Sequence, residues 1–267
     1  KHRSVSPEKI LSEAKRYLEN GCKELWLTGQ DTSCYGFDIG TNLAELAKKI
    51  LEQNSGDYKI RLGMGNPRHL EKYLDEMLSV YEDERIYKCI HLPVQSGSDS
   101  VLQAMGRKHN VDTFRKMAEA FISKFSYFTL STDIIVGFPA ETREDFEQTC
   151  KLISDLKPSI CNITRFVPRP NTVAEKLPGK IPGKEQHYRS ATLSELFQKI
   201  ALANNLSRVG KTTKDHKEKS GHRNGTYIAR DEAYRSIALK GNYKPGTWLN
   251  VQIEKAETFA LLAKEVL

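Results

Sequence analysis

Thr129-Leu130-Ser131-Thr132-Asp133-Ile134-Ile135-Val136-Gly137-Phe138-Pro139 is the stretch from which the fold can be worked out. Its β-branched and apolar residues, ending in the run Ile134-Ile135-Val136, predict a strand that Gly137-Phe138-Pro139 stops. Glu141 to Leu156 then has helical spacing, and Ile160 to Phe166 predicts the next strand. The same unit recurs upstream. Ser6-Pro7 starts a helix whose stripe Ile10, Leu11, Ala14 and Leu18 ends at Gly21, followed by the strand Leu25-Trp26-Leu27. A helix from Asn42 leads to a strand at Tyr58–Gly63, and a helix over 67–81 to a strand at Tyr87–Leu92. Helices near 98–105 and 110–124 complete the series. Helices alternating with nearly continuous apolar strands predict a parallel sheet covered by helices. Right-handed crossovers curl five such units into most of a barrel or wind them into an open sheet.

Both layouts place ligands beyond the carboxyl ends of the strands. Those ends carry Gln30 and Asp31, Asn66, Gln95 and Ser96, and Arg169. Taken singly, each loop reads equally well as turn chemistry. Four polar loops at one end point to a site.

Beyond Pro168-Arg169-Pro170 a long helix is expected from about Lys184 to Ser207. The pattern then changes to short alternating strands at Thr226–Ala229, Ser236–Leu239, Trp248–Ile253 and Phe259–Val266, with Lys211–Lys217 as a possible fifth. Asn224-Gly225, Gly241-Asn242 and Pro245-Gly246 are their turns. The division expected is residues 1–206 as an α/β body and 207–267 as a small all-β barrel. Of the 267 residues, 41 are Lys or Arg and 34 Asp or Glu, a net charge of +7. Residues 207–267 hold 12 basic against 7 acidic side chains, so most of the surplus is there and suits a polyanion such as nucleic acid. No apolar run has the ~20 residues of a membrane span. Residues 1–9 have no signal-peptide character. Five scattered cysteines, Cys22, Cys34, Cys89, Cys150 and Cys161, exclude a disulfide scaffold and a zinc ribbon, and suit a reducing, cytoplasmic setting. Phosphate-loop, dinucleotide and nucleophile-elbow motifs are absent, and the seven histidines form no zinc helix pair. His91, on an apolar strand, reads as lining the barrel rather than holding a metal.

The loops carry a resemblance. Leu27-Thr28-Gly29-Gln30-Asp31-Thr32, followed by Tyr35-Gly36 and Asp38-Ile39-Gly40-Thr41-Asn42, resembles the second-strand region of radical S-adenosylmethionine methylthiotransferases. His91-Leu92-Pro93-Val94-Gln95-Ser96-Gly97-Ser98-Asp99, with Met105 and Arg107 after it, is similar to that family's fourth-strand motif. Thr132 to Thr142 resembles its fifth, and Pro168-Arg169-Pro170-Asn171-Thr172-Val173-Ala174 the loop after its sixth strand. The terminal module resembles the family's RNA-binding TRAM barrel. The wording is closest to the archaeal and eukaryotic branch, which adds a methylthio group to N6-threonylcarbamoyladenosine beside the tRNA anticodon. The fold implied is an α/β radical S-adenosylmethionine barrel of the (β/α)6 type, incomplete here, followed by the TRAM barrel.

One departure is plain. The family's Cys-x3-Cys-x2-Cys loop, which holds a 4Fe–4S cluster with an open iron for S-adenosylmethionine, does not occur in this sequence. The second cluster's domain is not matched either. In the family the cluster loop precedes the helix that starts here at Ser6, and the chain begins at Lys1 without a methionine. The expectation is therefore the carboxyl-terminal portion of an enzyme with two 4Fe–4S clusters, inactive by itself.

The resemblance implies a 5′-deoxyadenosyl radical that abstracts hydrogen from the adenine, followed by sulfur insertion and methylation from a second S-adenosylmethionine. In that setting Gln30 and Asp31 are expected near the cofactor's amino group, and Gln95, Ser96 and Asp133 around its carboxylate and ribose. Gly137 would let backbone approach the adenine, and Arg107 would pair with the carboxylate. Lys217, Lys219, Arg223 and Arg230 are the expected phosphate contacts. The partners implied are tRNA and S-adenosylmethionine, with neither DNA nor membrane. Two other readings stay open. One is a methylthiotransferase acting on isopentenyladenosine in tRNA or on a ribosomal protein; the other is a non-catalytic RNA-binding fragment.

Overall fold

β4 (Thr129–Val136) is the middle strand of a parallel sheet, flanked by β3 (Cys89–His91) and β5 (Ile160–Arg165). The computed structural model describes residues 3–220, 225–241 and 243–266, with the backbone alone for 216–220. β1 (Glu24–Leu27) and β2 (Lys59–Leu62) form a second parallel pair. The two sheets meet where Ile60 bridges Ile86 and the Gly65 amide donates to the His91 carbonyl at 2.9 Å. Five parallel strands therefore follow one another in chain order, each close to its expected place.

From Leu130 onward, burial along β4 alternates. Leu130, Thr132, Ile134 and Val136 are buried under the helices, whereas Ser131, Asp133 and Ile135 are half-buried on the other face. The expected continuous apolar strand is thus period-2 in its burial, with Ser131, Asp133 and Ile135 on the less buried face. The register sets Ser131 beside His91, and Asp133 beside Asn162, on that side.

Several helices start on side-chain caps that satisfy first-turn amides. Ser6 caps α1 (Pro7–Glu19), Asn42 caps α2 (Leu43–Gln53), and Asn110 caps α6 (Val111–Lys124). α7 (Arg143–Leu156) begins with a full capping box between Thr142 and Asp145. The helix expected over 67–81 is broken. α3 (Pro67–Leu70) and α4 (Leu74–Val80) are separated by a 3-10 turn at Glu71–Tyr73. Tyr73 leaves helical dihedrals, and its hydroxyl donates to the Ser33 carbonyl at 2.7 Å. α5 (Asp99–Ala104) is short, and α8 (Gly183–Leu206) runs 24 residues. Large side chains including Ile50, Ile60, Phe114 and Phe121 are fully buried between sheet and helices.

The last part is a curled, mainly antiparallel sheet of β6 (Thr212–Ser220), β7 (Thr226–Arg230), β8 (Ser236–Lys240), β9 (Trp248–Ala256) and β10 (Leu261–Glu265). Pairings run β10-β8-β7-β6-β9, β9 pairs with β10, and the β8–β10 pair is parallel. Ala229, Ile237, Leu239, Leu249, Val251, Ile253 and Leu261 form its own small core. Of the expected turn residues, Asn224 and Asn242 lie outside the described residues.

This module docks under the amino ends of the parallel strands. Tyr234 packs edge-on against Tyr87 (4.8 Å between ring centroids) and Trp26 (6.4 Å), and the Arg61 guanidinium lies over it at 4.6 Å. Tyr127 donates its hydroxyl to Asp231, and the Lys88 amide donates to the Glu232 carbonyl at 2.7 Å. α8 ties in from the side, where Asn205 donates to the carbonyls of Glu257 and Thr258.

Candidate active site

A hydrogen-bonded row crosses the concave face of the sheet. His91 Nε2 lies 2.9 Å from Asp133 Oδ1, and Asn162 Nδ2 donates to the same oxygen at 2.7 Å. Burial pushes the Asp133 carboxyl up, but the bonds from His91 and Asn162, with the Arg107 charge, hold it below the usual range. Arg107 is half-buried and faces this charge; burial pulls it down, and its Nε is buried without a hydrogen-bond partner. A carboxylate and a guanidinium in the same region are the two charges that a zwitterion's ammonium and carboxylate require.

Gln95 closes this region with its backbone. It holds φ at +78°, donates its amide to Asp133 O and accepts from the Ile135 amide, both at 2.8–2.9 Å. A left-handed glutamine costs on the order of 1 kcal/mol and is held there by these two bonds. Ser96 turns the other way. It is fully buried, and its hydroxyl lies 3.4 Å from that of Thr149 on α7. Gly97 continues this docking, since a Cβ there would stand 2.5 Å from Thr149 Cα. The Ser98 hydroxyl donates to Asp145. Much of the Gln95–Ser98 motif therefore fastens the strand-end loop to a helix.

At the end of β1, Gln30 is exposed and lines a cavity of about 770 Å³ together with Thr28, Asp31, Cys34 and Tyr35. Asp31 caps a 3-10 turn (Thr32–Cys34) through Oδ1, which accepts from the Ser33 amide and hydroxyl, while Oδ2 lies 2.9 Å from His69 Nδ1. Gly137 has φ +75°, and a Cβ there would meet Gln186 Cγ at 2.4 Å, so α8 occupies the space beside it. Its amide donates to Glu141 Oε2 at 2.6 Å, and Arg189 donates to the same oxygen at 2.7 Å.

Of the expected phosphate contacts, Arg230 is engaged internally. It donates to Ser236 Oγ at 2.6 Å and stacks on Tyr234 at 4.6 Å. The side chains of Lys217 and Lys219, and Arg223 altogether, lie outside the described residues. Lys211, Lys240 and Lys244 are exposed on the same module, and the sequence reading passed over them. It also passed over Asn162, which the period-2 alternation of β5 and parallel register with β4 place beside Asp133.

The thiols do not fit an iron–sulfur cluster with three cysteine ligands. Cys89 and Cys161 are buried, and burial pushes both up to about 12. Among the described residues, the grouping of close potential metal ligands is Asp31, Cys34 and His69, with a single sulfur.

Parallel strands covered by helices, with polar loops and a charged row at their carboxyl ends, define an α/β fold with its candidate site at that end. The chain belongs to the Radical SAM superfamily, whose family profile matches residues 1–153. It is closely related to archaeal and eukaryotic threonylcarbamoyladenosine tRNA methylthiotransferases. It is 40% identical over 262 residues to the probable threonylcarbamoyladenosine tRNA methylthiotransferase of Pyrococcus horikoshii, covering 98% of this chain and 61% of that protein. The human threonylcarbamoyladenosine tRNA methylthiotransferase is 34% identical over 235 residues, covering 88% of this chain and 40% of that one. The chain thus spans about 60% or less of these relatives. Among solved structures, Escherichia coli coproporphyrinogen III oxidase (HemN), a radical SAM enzyme, superposes with a TM-score of 0.52 at 14% identity, over 92% of this chain and 61% of that one. At that identity the likeness is one of fold. Among the described residues, no helix is long and apolar enough to cross a membrane.

Proposed function

We propose that this chain forms the substrate-side wall and RNA-binding module of a cytoplasmic tRNA methylthiotransferase acting on N6-threonylcarbamoyladenosine. The observation that carries the reading is 40% identity across nearly the whole chain to a relative bearing that name. The division at residues 206 and 207 follows the change from parallel to curled sheet, with a (β/α)6-type barrel on one side and a TRAM-type barrel on the other. S-adenosylmethionine, when bound, supplies the methyl group. Arg107 pairs with its carboxylate and Asp133 accepts from its ammonium or ribose hydroxyls, held in place by His91 and Asn162. Gln30 and Asp31 border the same end of the sheet. Gln95 and Gly137 shape its wall through backbone. Ser96 acts behind them by seating the loop on α7. The chain's cysteines do not suit the two 4Fe–4S clusters that the resemblance implies, so no step through them is assigned to its residues.

The test is mass spectrometry of tRNA nucleosides after reaction of the intact, iron- and sulfide-reconstituted enzyme. The expected product is the methylthio derivative of N6-threonylcarbamoyladenosine. A methylthio-isopentenyladenosine product, or none in tRNA, overturns the substrate assignment.

A second reading, tRNA binding without catalysis by this chain alone, is favoured by the missing cysteine triplet. The basic surplus then gives an affinity that falls steeply with salt on a log–log plot. Binding indifferent to salt refutes that use of the module.

A further inference from the structure

We propose that Asp31, Cys34 and His69 form a three-donor site for one divalent transition-metal ion of the zinc class. One oxygen, one sulfur and one imidazole nitrogen lie within 4.8 Å of one another. Donors around a tetrahedral zinc-class ion stand roughly 3.3–3.7 Å apart, so an entering ion parts Asp31 Oδ2 from His69 Nδ1, now 2.9 Å apart, and draws the sulfur in by about an ångström.

The seat is braced independently of any ion. Thr32 sends both its amide and its hydroxyl to the Met64 carbonyl at 2.9 Å. The Asn66 amide donates to Ser33 Oγ at 2.7 Å, and Tyr73 holds the Ser33 carbonyl. These bonds bolt the turn carrying Asp31 and Cys34 to the start of α3, which carries His69. Ser33 occupies Oδ1 of Asp31 and leaves Oδ2 on the side of His69. Phe37 stands edge-on to the His69 ring at 5.7 Å and fixes its plane. A braced carboxylate and an oriented imidazole are the outer supports that metal ligands require.

The donor set selects the ion. Thiolate and imidazole are poor ligands for calcium or magnesium, whereas mixed sulfur, nitrogen and oxygen suit Zn²⁺, Co²⁺ or Fe²⁺. One sulfur separates the site from an iron–sulfur cluster. Three protein donors leave a coordination position open, the count of reactive rather than purely structural zinc sites. Asp31 and Cys34 both line the 770 Å³ cavity, where a small oxygen or sulfur donor would complete the shell. Without an ion, the Cys34 thiol donates its proton to the Asp31 carbonyl, with sulfur and oxygen 3.2 Å apart. Binding forms the sulfur–metal bond and releases that proton to solvent, with no change of oxidation state.

The experiment is titration of Co²⁺ into the reduced, metal-free 267-residue chain, followed by absorbance and by thermal melting. One equivalent should give a thiolate-to-cobalt charge-transfer band and tetrahedral d–d bands, raise the melting temperature, and be displaced by Zn²⁺. Cys34→Ser should abolish the charge-transfer band, and His69→Gln should weaken binding by about 10-fold or more. Both variants should keep the parent's circular dichroism. Cys150→Ser, on α7, should bind as the parent does. Absence of the charge-transfer band in the folded parent, its persistence in Cys34→Ser, or its loss in Cys150→Ser overturns the proposal.

Discussion

Replacing Arg189 by alanine tests how the strand-end loop after β4 is held. The guanidinium is buried and donates through Nη1 to Glu141 Oε2 at 2.7 Å and to the carbonyls of Glu141 and Thr142, and through Nε to Glu185. The Glu141 side chain is 1% exposed. Its carboxylate keeps the Gly137 amide in the variant but loses its counter-charge in a place water does not reach. Removing one partner of a buried pair costs about 3–5 kcal/mol. For a chain of this size each kcal/mol is worth roughly 2–4 °C, so the melting temperature should fall on the order of 10 °C.

The loss has a pH signature. Burial already holds the Glu141 carboxyl above its ordinary value, against the pull of Gly137 and Arg189. Without Arg189 it rises further, so the folded variant binds a proton that the unfolded chain has given up. Its stability deficit therefore grows as pH rises through the carboxylate range and shrinks on acidification. Adding Glu141→Gln should recover much of the loss at neutral pH. Thermal melts followed by circular dichroism between about pH 5 and pH 8 read both effects. A shift below about 2 °C at neutral pH, or a deficit equal at both ends, refutes the reasoning.

Gly97→Ala should destabilise by about 2–3 kcal/mol in denaturant unfolding, because its Cβ meets the backbone of α7 and no rotamer relieves it; a neutral result would mean that α7 can retreat. The Asp215 carboxyl is fully buried, and burial together with the Asp231 charge raises it to about 8 against the opposing pull of Thr213 and Arg208. The folded state then holds a proton that the unfolded chain lacks, so stability should fall with a slope of at most ~1.4 kcal/mol per unit as pH rises from about 4 to about 8. Asp215→Asn should flatten that slope, and an unchanged slope would place its origin elsewhere. Tyr127→Phe removes the hydroxyl bonded to the buried Asp231 and should cost about 1–3 kcal/mol; equal protease resistance in parent and variant would argue that this bond does not secure the module.

The strands were legible because their signals are local. Thr129–Val136 carries its own β-branched and apolar residues and ends on its own Gly-Phe-Pro, so its bounds are those read from the sequence. The break after Leu70 was not legible, because it rests on the bond from Tyr73 to a carbonyl forty positions earlier. The same holds at the site. Asp133 and Arg107 could be chosen from motif and residue type, and the structure brings them together. Ser96 reads the same whether it meets a ligand or Thr149, which is 53 positions away. Arg230 reads as a surface cation until Tyr234 folds back beneath it. What one sequence lacks in each case is the identity of the distant partner, and that partner decides which face of the residue is in use.

Tyr234 also has a bearing on the order of events during synthesis. Its ring covers Tyr87 and stands against Trp26, residues that leave the ribosome some 150 and 200 positions earlier. Until the link between β7 and β8 emerges, the underside of the parallel strands keeps apolar surface facing solvent. Contacts this far apart in the chain are slow to close and leave time for wrong ones. The nascent sheet should therefore depend on protection by chaperones over that interval. Emergence of β6–β10, more than formation of any helix, should set the time at which the fold becomes secure.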